Sequence, residues 1–161
     1  MYDDYEVLLD VDGVLIDSEE RIVKRKEERK DLTWDEFFET VNWEELYYES
    51  EEINDSLQIL RKLQEQRKGI YGLSKFHVPK EAQYKTKRLR KNGIYIPIFY
   101  CPPHVKKSEI WIPNQKSLLV DDSKKNITDW IENGGVGLLF DGDAENNSKE
   151  KVKSLHFLLR G

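Results

Sequence analysis

The chain alternates short apolar runs that end in polar residues with stretches of helical periodicity, and this alternation leaves few folds open. EVLLD (6–10), IYGLS (70–74), SLLVDD (117–122) and VGLLFD (136–141) read as strands covered on both faces, because their apolar residues are near-continuous rather than alternating. IYIPIFY (94–100) adds another strand, in which Pro97 hints at an edge or an irregularity. Between them, Ile53, Leu57, Leu60 and Leu63 recur at helical spacing in a segment closing at Gly69. Pro79 suits the first turn of a helix over about 79–91, stopped by Asn92-Gly93, and NITDWIENGG (126–135) reads as a further helix. The alternation predicts an α/β fold, a parallel sheet of about five strands flanked by helices, in a single domain over 1–161.

Residues 17–52 interrupt this rhythm. SEERIVKRKEERKD is too polar to supply core by itself, whereas TWDEFFETVNWEELYY concentrates Trp34, Phe37, Phe38, Trp43, Tyr47 and Tyr48. Thr33 with Glu36 fits a capping box, whose side chains satisfy the free N–H groups that open a helix. The segment is expected to be a small helical insertion, or cap, after the first strand. The one cysteine, Cys101, excludes an intrachain disulfide and reads as a packed residue. MYDDYE lacks the layout of a signal peptide, and no apolar run approaches membrane-spanning length. These features suggest a cytoplasmic protein with no membrane partner.

A net charge of −5 is unevenly spread, with 20 Asp/Glu against 6 Lys/Arg over residues 1–60. Over 80–116 the balance reverses, with nine Lys/Arg against Glu81 and Glu109. Such asymmetry suits one face attracting phosphate and another holding a cation, although charge runs also arise as solvated helix faces. Lys85, Arg88 and Lys91, on the helix over 79–91, are expected to form an ordinary solvated face.

The chemistry collects at strand ends. Asp10, Ser74 and the pair Asp121-Asp122 each follow a predicted strand, and neighbouring parallel strands would bring them to one edge of the sheet. Asp12 and Gly13 follow Asp10 directly, and glycine lets the backbone turn sharply there. Converging carboxylates repel unless a cation neutralises them, and an all-oxygen set points to Mg²⁺. Cys101, His77 and His104 show no metal-ligand spacing, and the histidines read as surface or core residues.

DVDGVLID (10–17), IYGLS (70–74) and LLVDDSKKNI (118–127) followed by WIENGG (130–135) resemble, in order, motifs of the haloacid dehalogenase (HAD) superfamily of phosphohydrolases. The resemblance spans nearly the whole chain and implies a HAD-like Rossmannoid fold. It implies that Asp10 attacks phosphorus to form an aspartyl-phosphate, and that Asp12 protonates the leaving oxygen and then activates water. It also implies that Asp10, the Asp12 backbone carbonyl and Asp121 hold Mg²⁺, with Asp122 as ligand or support. Ser74 would hydrogen-bond the phosphoryl oxygens. Members need a lysine before the last motif, and Lys106 and Lys107 both qualify. Lys107, one helical turn before Trp111, is favoured, whereas Lys116 lies too close to the strand.

Two features depart from many relatives. Ser74 is followed by Lys75-Phe76-His77, where Lys75 could supply positive charge itself, and the insertion is short, which implies an open entrance. Trp34, Phe38 and Trp43 could stack on a base there, or simply fasten the insertion to the body. The reading that follows is a Mg²⁺-dependent phosphomonoesterase acting on nucleotides, similar to small 5′-nucleotidase and polynucleotide 3′-phosphatase types. A nucleic-acid end or a small sugar or metabolite phosphate are the alternative substrates. A catalytically idle phospho-ligand-binding protein is a further alternative, against which the pair Asp10 and Asp12 argues.

Overall fold

The computed structural model describes residues 1–160. The chain order is β1 (Glu6–Leu9), α1 (Ser18–Glu27), α2 (Trp34–Thr40), α3 (Trp43–Glu49), α4 (Ser56–Gln66), β2 (Ile70–Lys75) and α5 (Pro79–Lys91). It continues with β3 (Ile98–Cys101), α6 (Lys107–Ile110), β4 (Ser117–Asp121), α7 (Lys124–Glu132), β5 (Val136–Phe140) and β6 (Lys151–Val152). All strands are parallel, in the order β3-β2-β1-β4-β5-β6.

Successive side chains of a strand point to opposite faces. Val7 and Leu9 therefore join Leu60, Leu63 and Leu89 in one core, and Leu8 joins Leu73, Leu119 and Trp130 in another. That double burial is why β1 reads as a continuous apolar run. The chain winds from β1 towards β3 on one side and from β4 towards β6 on the other. The reversal opens a crevice beyond the carboxyl ends of β1 and β4, the usual ligand position in such sheets.

Two strands differ from expectation. Pairing of β3 begins only at Ile98, because Pro97 has no N–H and its carbonyl already accepts the Gly72 N–H at 2.9 Å. Ile94 and Ile96 are buried instead as α5 ends, where the Ile94 N–H donates to Leu89 O. β6 is a sixth strand of two residues within a charged stretch that carries no strand period. Cys101 is buried, and among the described residues no helix is long and apolar enough to cross a membrane.

Residues 17–52 contain α1, α2 and α3. The Thr33–Glu36 capping box opens α2, with reciprocal bonds of 3.2 and 3.1 Å. The excursion closes on itself, since Asp17 N–H donates to Glu51 O and Glu51 N–H to the Asp17 carboxylate, each at 2.9 Å. Arg88 on α5 anchors it by donating to Ser50 O at 2.7 Å and Tyr47 O at 3.2 Å. Arg88 is thus half-buried and structural rather than part of a solvated face, while Lys91 is exposed.

Candidate active site

The carboxyl ends of β1, β2 and β4 place Asp10, Ser74 and Asp121 together, with Asp12 on the turn beyond β1. Asp10, Asp12, Ser74 and Asp121 are all buried. The one-turn helix α6 sends Lys107 inward, where its ammonium donates to Asp10 Oδ1 at 2.9 Å and Asp121 Oδ2 at 2.7 Å. The Trp111 N–H donates to Lys107 O, so the two stand one helical turn apart. Lys106 is exposed and faces away, 3.7 Å from Asp129.

Carboxylate oxygens of Asp10, Asp121 and Asp122 come within 4.8 Å of one another. Burial, and then the neighbouring charge of Asp121, push the Asp10 carboxyl well above the usual range. Asp122 is exposed at the edge of the cluster, yet partial desolvation there, and then Asp121, raise it to about 6. Asp121 is held low, because Lys107, the Ser123 N–H and Asn126 together outweigh the effect of burial. A cluster of this kind under-compensated by one ammonium fits a small, oxygen-seeking dication. The Asp12 side chain is not part of this cluster.

Gly13 explains why glycine follows the second aspartate. Its φ is +88°, and a Cβ there would overlap Asp122 Oδ2. The Asp122 carboxylate therefore reaches the cluster over a residue that must have no side chain.

Asp12 is fully hydrogen-bonded. Ser18 Oγ at 2.5 Å and Tyr47 OH at 3.0 Å donate to Oδ1, and Lys85 Nζ donates to Oδ2 at 2.5 Å. Burial alone would raise this carboxyl, but the Lys85 ammonium and the three donors hold it below its ordinary value. Lys85 also donates to Ser74 Oγ and Lys75 O, each at 2.8 Å, and Glu81 Oε2 lies 3.8 Å away. Ser74 Oγ accepts from Lys85 and donates only weakly, to Lys75 O at 3.4 Å, a bond that a phosphoryl oxygen would displace.

Lys85 is completely buried, which overturns its assignment to a solvated face. Glu81, Lys85 and Leu89 recur every four residues, so they form one stripe, and all three are buried. The apolar Leu89 was the available signal. Ser18 likewise went unmarked, because a serine opening a charged helix resembles a cap.

The crevice is a cavity of about 680 Å³ whose floor holds Asp10 and Asp12 and whose outer walls include Glu19, Trp34, Phe38 and Lys75. His77 belongs to this wall: its ring stacks on Phe38 at 3.8 Å, and Nδ1 lies 3.0 Å from Glu81 Oε1. Trp34 remains 46 % exposed and free to meet a ligand. Trp43 does not line the cavity; it is buried, with Nε1–H donating to Phe38 O at 3.0 Å, and fastens the insertion internally. Partial desolvation at the cavity wall, and then the charges of Asp12 and Asp122, raise Glu19, itself exposed, to about 7.

The sequence matches no family model and no curated protein. Solved structures do match. A magnesium-bound structure of YfnB from Bacillus subtilis, described as a HAD-hydrolase, has TM-score 0.58 and 18% identity over 96% of both chains. A HAD-superfamily hydrolase from Ehrlichia chaffeensis has TM-score 0.58 and 13% identity over 98% of this chain and 95% of its own. The fold is the HAD-like Rossmannoid fold. A phosphonoacetaldehyde hydrolase-like protein from Oleispira antarctica shares it more distantly, at TM-score 0.54 and 9% identity over 86% of this chain and 72% of its own. In this HAD-like fold Asp10 ends the central strand and Asp121 ends the strand beside it.

Proposed function

We propose that the chain is a magnesium-dependent phosphomonoesterase that works through an aspartyl-phosphate on Asp10, with nucleotides as its preferred substrates. One observation carries the reading: Asp10 is buried between an ammonium and a second carboxylate, while Asp12, two residues on, is bonded to a separate set of donors. Two carboxyl groups in such different surroundings suit two different tasks.

Lys107 orients Asp10 and offsets the charge of an arriving phosphate, and Ser74 donates to it. An Asp10 oxygen attacks phosphorus, the bond to the leaving oxygen breaks, and that oxygen takes a proton from Asp12. The arriving dianion adds negative charge beside Asp12 and so favours its protonated form. Asp12 then removes a proton from water, whose oxygen attacks phosphorus and breaks the bond to Asp10, releasing inorganic phosphate. Asp10, Asp121, Asp122 and the Asp12 carbonyl would hold Mg²⁺, which supplies Lewis-acid stabilisation of the phosphoryl oxygens when bound.

The nucleotide preference rests on Trp34 in the cavity wall, half exposed, where a base has an aromatic face to stack on, whereas Phe38 is covered by His77. The helices of residues 17–52 act as a short cap that leaves the leaving group room. A panel of nucleoside 5′- and 3′-monophosphates and sugar phosphates, assayed with Mg²⁺ and with EDTA, tests the reading. Mg²⁺-dependent release of phosphate, greatest from nucleotides, is expected. Asp10→Asn should fold normally and lose several orders of magnitude in kcat, as removal of a nucleophile does. A folded Asp10→Asn protein with near-normal turnover would refute the assignment.

A further inference from the structure

A second cavity, of about 640 Å³, opens beside the catalytic one, and Lys75, Lys125 and Asn126 line both. Its remaining cations are Lys106 and Lys124, and the His104 ring borders it as well. Two carboxylates also border it, Asp129 and Glu132. Asp129 is already engaged, accepting from Ser108 Oγ at 2.6 Å and Asn133 Nδ2 at 3.2 Å, with Lys106 at 3.7 Å.

Lys75, Lys124 and Lys125 are different. Among the described residues none of the three has a carboxylate partner within 4.0 Å. What sets them apart is their place: all three line one cavity, and Lys75 and Lys125 also line the catalytic one. Lysines brought together without counter-charges repel one another unless an anion joins them.

The phosphate to be hydrolysed does not account for Lys124, which lines the second cavity and not the catalytic one. It would sit on the buried floor, where Lys107 and Ser74 face Asp10. Elsewhere the catalytic cavity is walled by Trp34, Phe38 and Glu19, which offer a further anion no cation. Any other negative group on a bound molecule is therefore directed to the side of Lys75 and Lys125.

We infer that the substrate carries a second phosphate, held in this basic trough while the first is hydrolysed. The inference rests on the phosphomonoesterase reading and deepens it. Two molecules supply this chemistry: a nucleoside 3′,5′-bisphosphate, whose second phosphate is a monoester, and a 3′-phosphorylated oligonucleotide, whose second phosphate is a backbone diester. The trough recognises the anion and not its source.

The experiment measures kcat/KM for a nucleoside 5′-monophosphate, its 3′,5′-bisphosphate and a short 3′-phosphorylated oligonucleotide, at low and moderate salt. Charge-assisted contacts of this kind give a preference of about tenfold or more for a substrate with the second phosphate. That preference should shrink with added salt and collapse towards one in Lys124→Met/Lys125→Met. A larger gain for the oligonucleotide than for the bisphosphate identifies the backbone as the source, and the reverse identifies the small molecule. Equal kcat/KM for all three, in both proteins, would overturn the trough and leave the phosphatase reading standing. Absence of turnover with every ester would overturn that reading instead. Calorimetric titration of Asp10→Asn with bisphosphate and monophosphate then decides the trough alone, tighter bisphosphate binding supporting it and equal binding refuting it.

Discussion

Replacing Lys85 with methionine should damage the protein in a way that depends on pH. The substitution keeps the length of the buried stem and removes the ammonium. Asp12 then loses its cation, Ser74 and the Lys75 carbonyl lose a donor, and Glu81, also buried, loses a neighbouring positive charge. Breaking a buried pair from one side typically costs about 3–5 kcal/mol. Asp12 keeps Ser18 and Tyr47 and can take up a proton, which places the loss at the lower end. With domain stabilities of about 5–15 kcal/mol, the variant still folds.

The sign of the pH effect follows from the two states of Asp12. In the native protein its carboxyl lies below the ordinary 3.8, so its contribution is present above that value and fades as pH falls through the folded pKa. Without Lys85, burial dominates and the carboxyl is raised. The variant then carries a penalty at neutral pH that disappears as acid protonates Asp12. The stability gap should be widest near pH 8 and narrow by pH 5, read by urea unfolding in EDTA with unchanged m-values. Turnover should drop by about a hundredfold, the lower range for impaired acid–base catalysis. A gap below about 1 kcal/mol that ignores pH would refute the buried pair, since that is how an exposed lysine behaves.

Other perturbations separate the parts of the site. Asp121→Ala should abolish activation by Mg²⁺, whereas Asp141→Ala, in the turn after β5, should leave it intact; Ca²⁺ should inhibit, because its larger and looser shell misplaces the nucleophile. Gly13→Ala forces a Cβ onto Asp122 at a φ that L residues avoid, so the Mg²⁺ concentration giving half-maximal activity should rise at least tenfold while thermal unfolding falls by a few degrees. Trp34→Ala should raise KM for nucleotides by about 5- to 150-fold, the range of 1–3 kcal/mol per stacked base, and leave KM for sugar phosphates within about twofold.

Much of this architecture is legible in the chain because burial on both faces leaves a plain mark. VLL, GLS and LLV cannot be solvated, and the polar residue closing each marks where the sheet meets the crevice. Asp10, Ser74 and Asp121 converge accordingly. Other features leave no such mark. Lys85 is hidden because a buried lysine and a solvated one look alike until the carboxylate that holds it is known, and Asp12 lies 73 positions away. Trp34 and Trp43 are equivalent as residue types, and only packing sends one to the cleft and the other inward. β6 pairs through two residues, too few for any period to show.

The insertion that begins and ends at one point, Asp17 beside Glu51, is attached like a graft. Closing a longer loop there would cost little, since the entropy of closure grows only with the logarithm of length. The graft is nevertheless not inert towards the body. It carries Tyr47, whose hydroxyl is bonded to Asp12, whereas Lys85 belongs to the body and stays where it is. Any outward swing of α3 strips the carboxyl of one donor and leaves the cation in place. The protonation of Asp12 and the posture of the graft are therefore two readings of one coordinate, so a descendant that enlarged this excursion would retune its acid in the same step.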